Sequence, residues 1–164
     1  MATNFRKLLE SLLSHHVEFV IVGGVAMVLQ GSPRTTLDLD ICYSRTPDNL
    51  IRLSQALAPY EANLRGAPRD LPFHLDAATL QSGLNFTLQT SIGDIDLFGE
   101  ITGIGRYPEV VADTTAMDLY GRRVLVMSLD GLERAKRAAG RIKDLADLAE
   151  ILEIRKRRSE GIGN

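Results

Sequence analysis

The sequence has a single cysteine, Cys42. That excludes an internal disulfide framework and fits a reducing compartment. Charge of one sign is also missing: 19 basic and 21 acidic side chains leave a formal net charge of −2. The surface as a whole therefore does not attract polyanions, and any nucleic-acid contact has to come from a local basic patch. No stretch approaches the ~18 consecutive apolar residues of a membrane span. The opening "MATNFRKLLESLL" mixes charged with apolar residues and does not resemble a signal peptide. There is no internal repeat and no low-complexity segment. His15, His16 and His74 lack zinc-site spacing, and one cysteine does not complete such a site. What remains is 164 residues, 45% hydrophobic and 24% charged, the make-up of an ordinary globular protein with a real core. The expectation is a cytoplasmic, soluble protein with one domain over 1–158 and a frayed tail over 159–164.

The pattern along the chain gives an order of elements. Residues 4 to 16 place Phe5, Leu8, Leu9, Leu12 and Leu13 at helical spacing, with Asn4 as N-cap. "EFVIVGG" is a short buried strand stopped by glycines, and "VAMVLQG" a brief helix with Gly31 after it. "TTLDLDICY" is the next strand. Pro47 opens a helix over "DNLIRLSQALAPY". "RGAPRDLPF" is a loop. "LNFTLQTSIGDIDLFGEI" is a hairpin, "TGIGRYPEV" a glycine-rich connector, and "TTAMDLYGRRVLVM" a second hairpin turning at Gly121. From Ser128 the chain is helical, with a break near Gly140 and an apolar stripe of Leu145, Leu148 and Leu152 in the last helix. This predicts an α+β fold: a mixed β-sheet flanked by helices, with the C-terminal helices packed on it.

Two short segments carry chemistry. In "LDLDI" the strand alternation puts Asp38 and Asp40 on one face and Leu37, Leu39 and Ile41 on the other. Carboxylates two residues apart on a strand, about 6.6 Å between Cα atoms, can converge on divalent ions. Without a cation they raise each other's pKa and cost stability; magnesium prefers such oxygen ligands. An isolated acidic pair is more often a solvated strand face. A second pair, in "GDIDLFGE", changes that balance. Asp94 and Asp96 share a face there, and Asp96, framed by Ile95 and Leu97, is better placed as a buried ligand than Asp94 beside Gly93. Gly23 and Gly24, where a strand hands over to a helix, allow close approach of a phosphate to the backbone. No lysine follows them as in a P-loop, and the spacing is not G-x-G-x-x-G.

Three other groups have plain explanations. Cys42, on the face of Asp38 and Asp40, reads as a small packed residue. His74 and Asp76 read as a structural pair. The basic run at 155–158 suits a helix C-terminus, with RNA contact as the alternative.

Taken together, "GGVAMVLQGSPRTTLDLDI" and the later "GDIDLFGE" resemble the nucleotidyltransferase superfamily of polymerase-β-like fold. "KRAAGRIKDLADL" is similar to a helical motif of its AbiEii-like, toxin–antitoxin-associated members, matched by Lys136, Arg141, Lys143, Asp144 and Asp147. This chain has Gly23-Gly24 where the family often has Gly-Ser. The resemblance spans residues 19 to 150 and implies a minimal single-domain member. It implies a magnesium-dependent enzyme, with manganese as a substitute, that moves a nucleoside monophosphate from an NTP to a hydroxyl of an RNA or protein acceptor. Asp38, Asp40 and Asp96 would be the catalytic and metal-binding residues. Gly23, Gly24, Arg34, Thr36 and Lys136 would contact the nucleotide, Lys136 at the β- or γ-phosphate. Two alternatives share the fold: an inactive, antitoxin-like binding module, and a metal-dependent phosphohydrolase.

Overall fold

A computed structural model describes residues 2–161. Helix α1, Phe5–Ser14, is capped by Asn4, whose side chain accepts from the Lys7 N–H at 3.0 Å. Strand β1, Phe19–Val22, is buried throughout and leads directly into α2, Gly23–Leu29. Strand β2, Asp38–Tyr43, is followed by α3, Pro47–Leu57, with Pro47 in its first turn. After a 3₁₀ turn come β3, Asn63–Leu64, and the short helix α4, Ala77–Ser82. The expected hairpin is β4, Asn85–Thr90, and β5, Gly93–Phe98. The strand-rich stretch ends in β6 (Glu100–Ile101), and the segment expected as a glycine-rich connector pairs with it through β7 (Gly105–Arg106) and continues as a short helix, α5 (Tyr107–Val111). Gly103 and Gly105 take positive φ there, which lets so few residues reverse direction. The second hairpin, β8 (Thr114–Leu119) and β9 (Arg122–Met127), turns at Tyr120 and Gly121, both at positive φ as a two-residue hairpin loop requires. Helix α6, Leu129–Ala139, is capped by Ser128 and ends at Gly140 (φ 61°), and α7 spans Ile142–Gly161.

Seven strands form one mixed sheet in the order β3-β4-β5-β2-β1-β9-β8. Its centre is apolar: Val20, Ile21, Leu39, Ile41, Ile95, Leu97 and Val126 are fully buried. Helices α1 and α3 contribute Leu8, Leu12, Leu53 and Leu57 to the same core. The decisive pairing for the site is β2 with β5, parallel and in register, which sets Asp38 beside Asp94 and Asp40 beside Asp96. The N-terminal segment pins the start of both strands. Thr3 donates its hydroxyl to the Leu37 carbonyl and accepts from the Asp94 N–H.

Some details differ from the sequence pattern. Leu37 precedes β2 and is 77% exposed, so the packing face of that strand is carried by Leu39 and Ile41 alone. The apolar stripe expected on α7 is not its packed face: Leu145 and Leu152 are exposed, whereas Asp144, Asp147, Ile151 and Ile154 are buried. Ion pairs let two aspartates take the inward positions. Helix α7 also continues through residues 159–161, where a frayed tail was expected; residues 162–164 lie outside the described residues. Asp76 caps α4 by accepting from the Thr79 N–H at 2.8 Å, a bond that holds its carboxyl below the usual range, and His74 adds to that lowering by its charge. Cys42 is buried, and burial pushes its thiol up to about 12, in keeping with a packed residue. No helix among the described residues is long and apolar enough to cross a membrane.

Candidate active site

The β2–β5 register turns two alternating strands into one acidic surface. Asp38, Asp40 and Asp96 each offer a carboxylate oxygen, and these oxygens lie within 4.8 Å of one another. Asp94 is the fourth acid on that face but is not part of this triad. Burial, and after it the neighbouring Asp38 and Asp96 carboxylates, push Asp40 up to about 7 from an ordinary 3.8; the Gly24 N–H pulls the other way. Burial also raises Asp96 above its usual range, against the pull of Arg65. Asp40 Oδ1 is buried and has no hydrogen-bond partner. An unpartnered carboxylate oxygen beside two more acids is costly unless a cation completes it. Oxygen-only donors of this kind suit magnesium or manganese.

Gly23 and Gly24 stand directly over this cluster because Val22 pairs opposite Asp40. Gly23 has φ +63°, and a Cβ there would sit 2.9 Å from Asp40 Cγ and closer still to its Oδ2. A Cβ on Gly24 would meet the Thr36 hydroxyl at 2.8 Å. Only glycine lets the backbone turn so tightly against the aspartate. Gly23→Ala is expected to destabilise the fold by roughly 2 kcal/mol through strain at positive φ and contact with Asp40. Thermal melting checks this; a variant that melts like the parent would mean Asp40 moves freely.

Both glycines line a cleft of about 650 Å³ together with Asp38, Asp40 and Asp96 and with Lys136, Arg141 and Lys143. Phe98, Ile101 and Leu132 supply apolar wall between them. Carboxylates and cations lining one cleft are the charges that a metal-bound polyphosphate needs.

Lys136 and Arg141 belong to an ion-pair network that ties α6, α7 and the segment before β2 together. Lys136 Nζ lies 2.8 Å from Asp147 Oδ2 and 3.6 Å from Asp144 Oδ1. Arg141 holds Asp144 through its Nε at 2.9 Å and its backbone N–H at 3.0 Å. These bonds, those of Arg141 first, hold the buried Asp144 carboxyl down to about 2. Burial works against the Asp147 carboxylate, but its bonds to Lys136 and Arg34 keep it below its usual range. Arg34 pairs with both Asp147 and Glu150, and Ser32 donates to Glu150. The structure thus directs Arg34 to α7 rather than into the cleft. Thr36 lies against Gly24 and donates to the Asp38 carbonyl at 3.3 Å. Two residues of the basic run at 155–158 are likewise engaged within the fold. Arg155 pairs with Asp130 and Glu133, and Arg158 donates to the Gln30 carbonyl and side chain.

Arg65 has no counterpart in the sequence reading. It follows β3 and reaches across β4 into the acidic cluster, where Nη2 bonds Asp96 Oδ1 at 2.7 Å. A lone arginine in a proline- and glycine-containing loop carries no local signal; only the strand order brings it to the aspartates.

No family model matches the sequence, and no curated protein matches it. Solved structures do. The chain superposes on TM1012 of Thermotoga maritima, described as a nucleotidyltransferase, with a TM-score of 0.57 at 18% identity, over 90% of this chain and 89% of that one. It superposes on the lincosamide antibiotic adenylyltransferase LnuA with a TM-score of 0.58 at 15% identity, over 94% and 99% of the two chains. The fold is that of nucleotidyltransferases. The antibiotic-resistance factor ANT(2'')-Ia shares it as well, with a TM-score of 0.55 at 11% identity over 96% of this chain and 90% of that one. At these identities the nucleotidyltransferase likeness is one of fold, and what the cleft does has to be argued from its own residues.

Proposed function

We propose that the protein is a metal-dependent nucleotidyltransferase that moves a nucleoside monophosphate from an NTP to an acceptor hydroxyl. One observation carries this reading: Asp38, Asp40 and Asp96 present oxygens within 4.8 Å of one another in the cleft, and Asp40 Oδ1 is buried without a partner. Magnesium, or manganese in its place, would lower the pKa of the acceptor hydroxyl and offset charge on the departing pyrophosphate.

The chain's own groups supply the rest. Asp38 and Asp40 hold the cation site. Asp96 completes it on the acceptor side and takes the proton of the attacking hydroxyl. Gly23 and Gly24 let the triphosphate approach the backbone. Lys136, kept in place by Asp147 and Asp144, faces the β- or γ-phosphate as a point charge. Arg34 acts at one remove, by holding Asp147. The acceptor is read as a hydroxyl at an RNA end or on a partner protein. A kinship with AbiEii-like proteins would rest on the stretch Lys136 to Asp147, in which Lys136, Arg141, Asp144 and Asp147 are joined by ion pairs.

Incubation with each α-³²P NTP, Mg²⁺ and a cell extract tests the reading by asking which molecule becomes labelled. Labelled RNA or protein is the expected result. A labelled small molecule would keep the reaction and correct the acceptor. Mg²⁺-dependent NTP binding without any label would favour the binding module, and release of phosphate without an acceptor the phosphohydrolase.

A further inference from the structure

Four carboxylates share the face made by β2 and β5, and Arg65 contacts three of them. Its Nη2 is 2.7 Å from Asp96 Oδ1, its Nε 3.3 Å from Asp94 Oδ2, and its Nη1 3.9 Å from Asp38 Oδ2. The side chain is anchored as well: Nη2 donates to the Leu88 carbonyl at 2.8 Å, and the Arg65 N–H donates to the Thr87 carbonyl at 2.9 Å. Yet the fork is not saturated, because Nε is buried without a hydrogen-bond partner. The guanidinium is thus held through Nη2, while its Nε–H lies near Asp94 without a matched acceptor. It divides the cluster: Asp94 and Asp96 face the arginine, while Asp40 makes no ion pair with it among the described residues and keeps an unpartnered oxygen.

We propose that Arg65 is a tethered stand-in for a cation, occupying the Asp96 side of the site until a divalent ion arrives with nucleotide and displaces it. The inference rests on the metal-site reading above and adds an order of loading to it. Asp40 is clear of Arg65 and Asp38 is touched by it only at 3.9 Å, so this side of the cluster takes an ion first. An ion shared with Asp96 has to compete with a guanidinium bonded to the same carboxylate, and two cations a few ångströms apart repel strongly in a partly buried site. A triphosphate brings the negative charge that offsets this repulsion. Arg65 then keeps Asp94, which lies outside the triad, and releases Asp96. It is therefore a positioning residue, acting through the occupancy of Asp96.

Mn²⁺ titration followed by electron paramagnetic resonance, without nucleotide, tests this on the whole protein. Arg65→Gln is expected to bind Mn²⁺ at least roughly tenfold more tightly, or to take up a second ion, tenfold corresponding to about 1.4 kcal/mol. Arg65→Lys keeps the charge and is expected to stay near the parent. A purely structural Arg65 would lower the melting temperature of Arg65→Gln without strengthening ion binding, and an unchanged or weaker isotherm overturns the inference.

The unmodified protein offers a second readout if the variants fold poorly. The Arg65 Nε–H signal in a ¹⁵N correlation spectrum should shift on addition of Mg²⁺ with a non-hydrolysable NTP, and a signal that stays in place overturns displacement. The two readings separate cleanly. If neither the parent nor Arg65→Gln binds Mn²⁺, the metal site itself falls and the inference with it. If the parent binds Mn²⁺, Asp40→Asn does not and Arg65→Gln matches the parent, only the role of Arg65 falls.

Discussion

Lys136→Ala is expected to weaken NTP binding roughly ten- to a hundredfold while leaving the corresponding monophosphate nearly unchanged, the loss of one charge-assisted hydrogen bond to a terminal phosphate. The structure adds a cost in stability that the sequence did not foretell. Lys136 is mostly buried and bonded to Asp147 and Asp144. Removing it does not leave either acid alone, since Arg34 still holds Asp147 and Arg141 still holds Asp144. The expected destabilisation is therefore about 1–3 kcal/mol, below the ~3–5 kcal/mol of a buried acid stripped of its only partner. Lys136→Arg should restore stability more fully than NTP affinity, because a planar fork can pair with Asp147 but does not reproduce a compact ammonium at a phosphate. Calorimetric titration of both nucleotides, with a thermal melt, separates the two effects. Equal weakening of NTP and NMP would confine Lys136 to the ion-pair network.

Asp40→Asn is expected to abolish Mg²⁺-dependent NTP binding and to leave the metal-free fold as stable as the parent or more so. The direction follows from the charge. Asp40 is held at about 7 in the folded chain against an ordinary 3.8. Between those values the folded state binds the proton that the unfolded state has released, so this group's contribution to stability falls as pH rises from about 4 to about 7. The amide does not titrate. The variant should match the parent near pH 4 and gain on it up to neutral pH, by an amount of roughly 1–3 kcal/mol. Thermal melts across that range, without divalent ions, give the comparison. A variant that melts well below the parent at pH 7 would mean that Asp40 stabilises the fold, and that the acid pair is structural.

Much of the architecture could be read locally. Asn4 announced α1, Pro47 opened α3, Gly140 broke the C-terminal helices, and strand alternation placed Asp38, Asp40 and Asp96 on common faces. Those signals live within a few residues. The parallel register that brings Asp40 beside Asp96 joins positions 56 residues apart and becomes visible only in the sheet. Asp96 is expected as the third ligand from its frame of Ile95 and Leu97, and it is the Asp96 oxygen that lies within 4.8 Å of those of Asp38 and Asp40. On α7, spacing misled: leucines at 145 and 152 look like a core stripe, but the inward face is held by Asp144 and Asp147, whose partners Lys136, Arg141 and Arg34 lie on other segments. Arg34, expected at the nucleotide, pairs with Asp147 and Glu150, partners that nothing near it in sequence reveals.

The central claim is that the three aspartates form a cation site for nucleotide. Crystals grown with Mn²⁺ and a non-hydrolysable NTP, measured near the manganese absorption edge, locate the ion directly. An anomalous peak is expected between Asp38 and Asp40, with a second one reaching Asp96, carboxylate oxygens about 2.0–2.2 Å from the ions, and the triphosphate running toward Lys136. Nucleotide bound elsewhere, with no manganese between the three carboxylates, would contradict it.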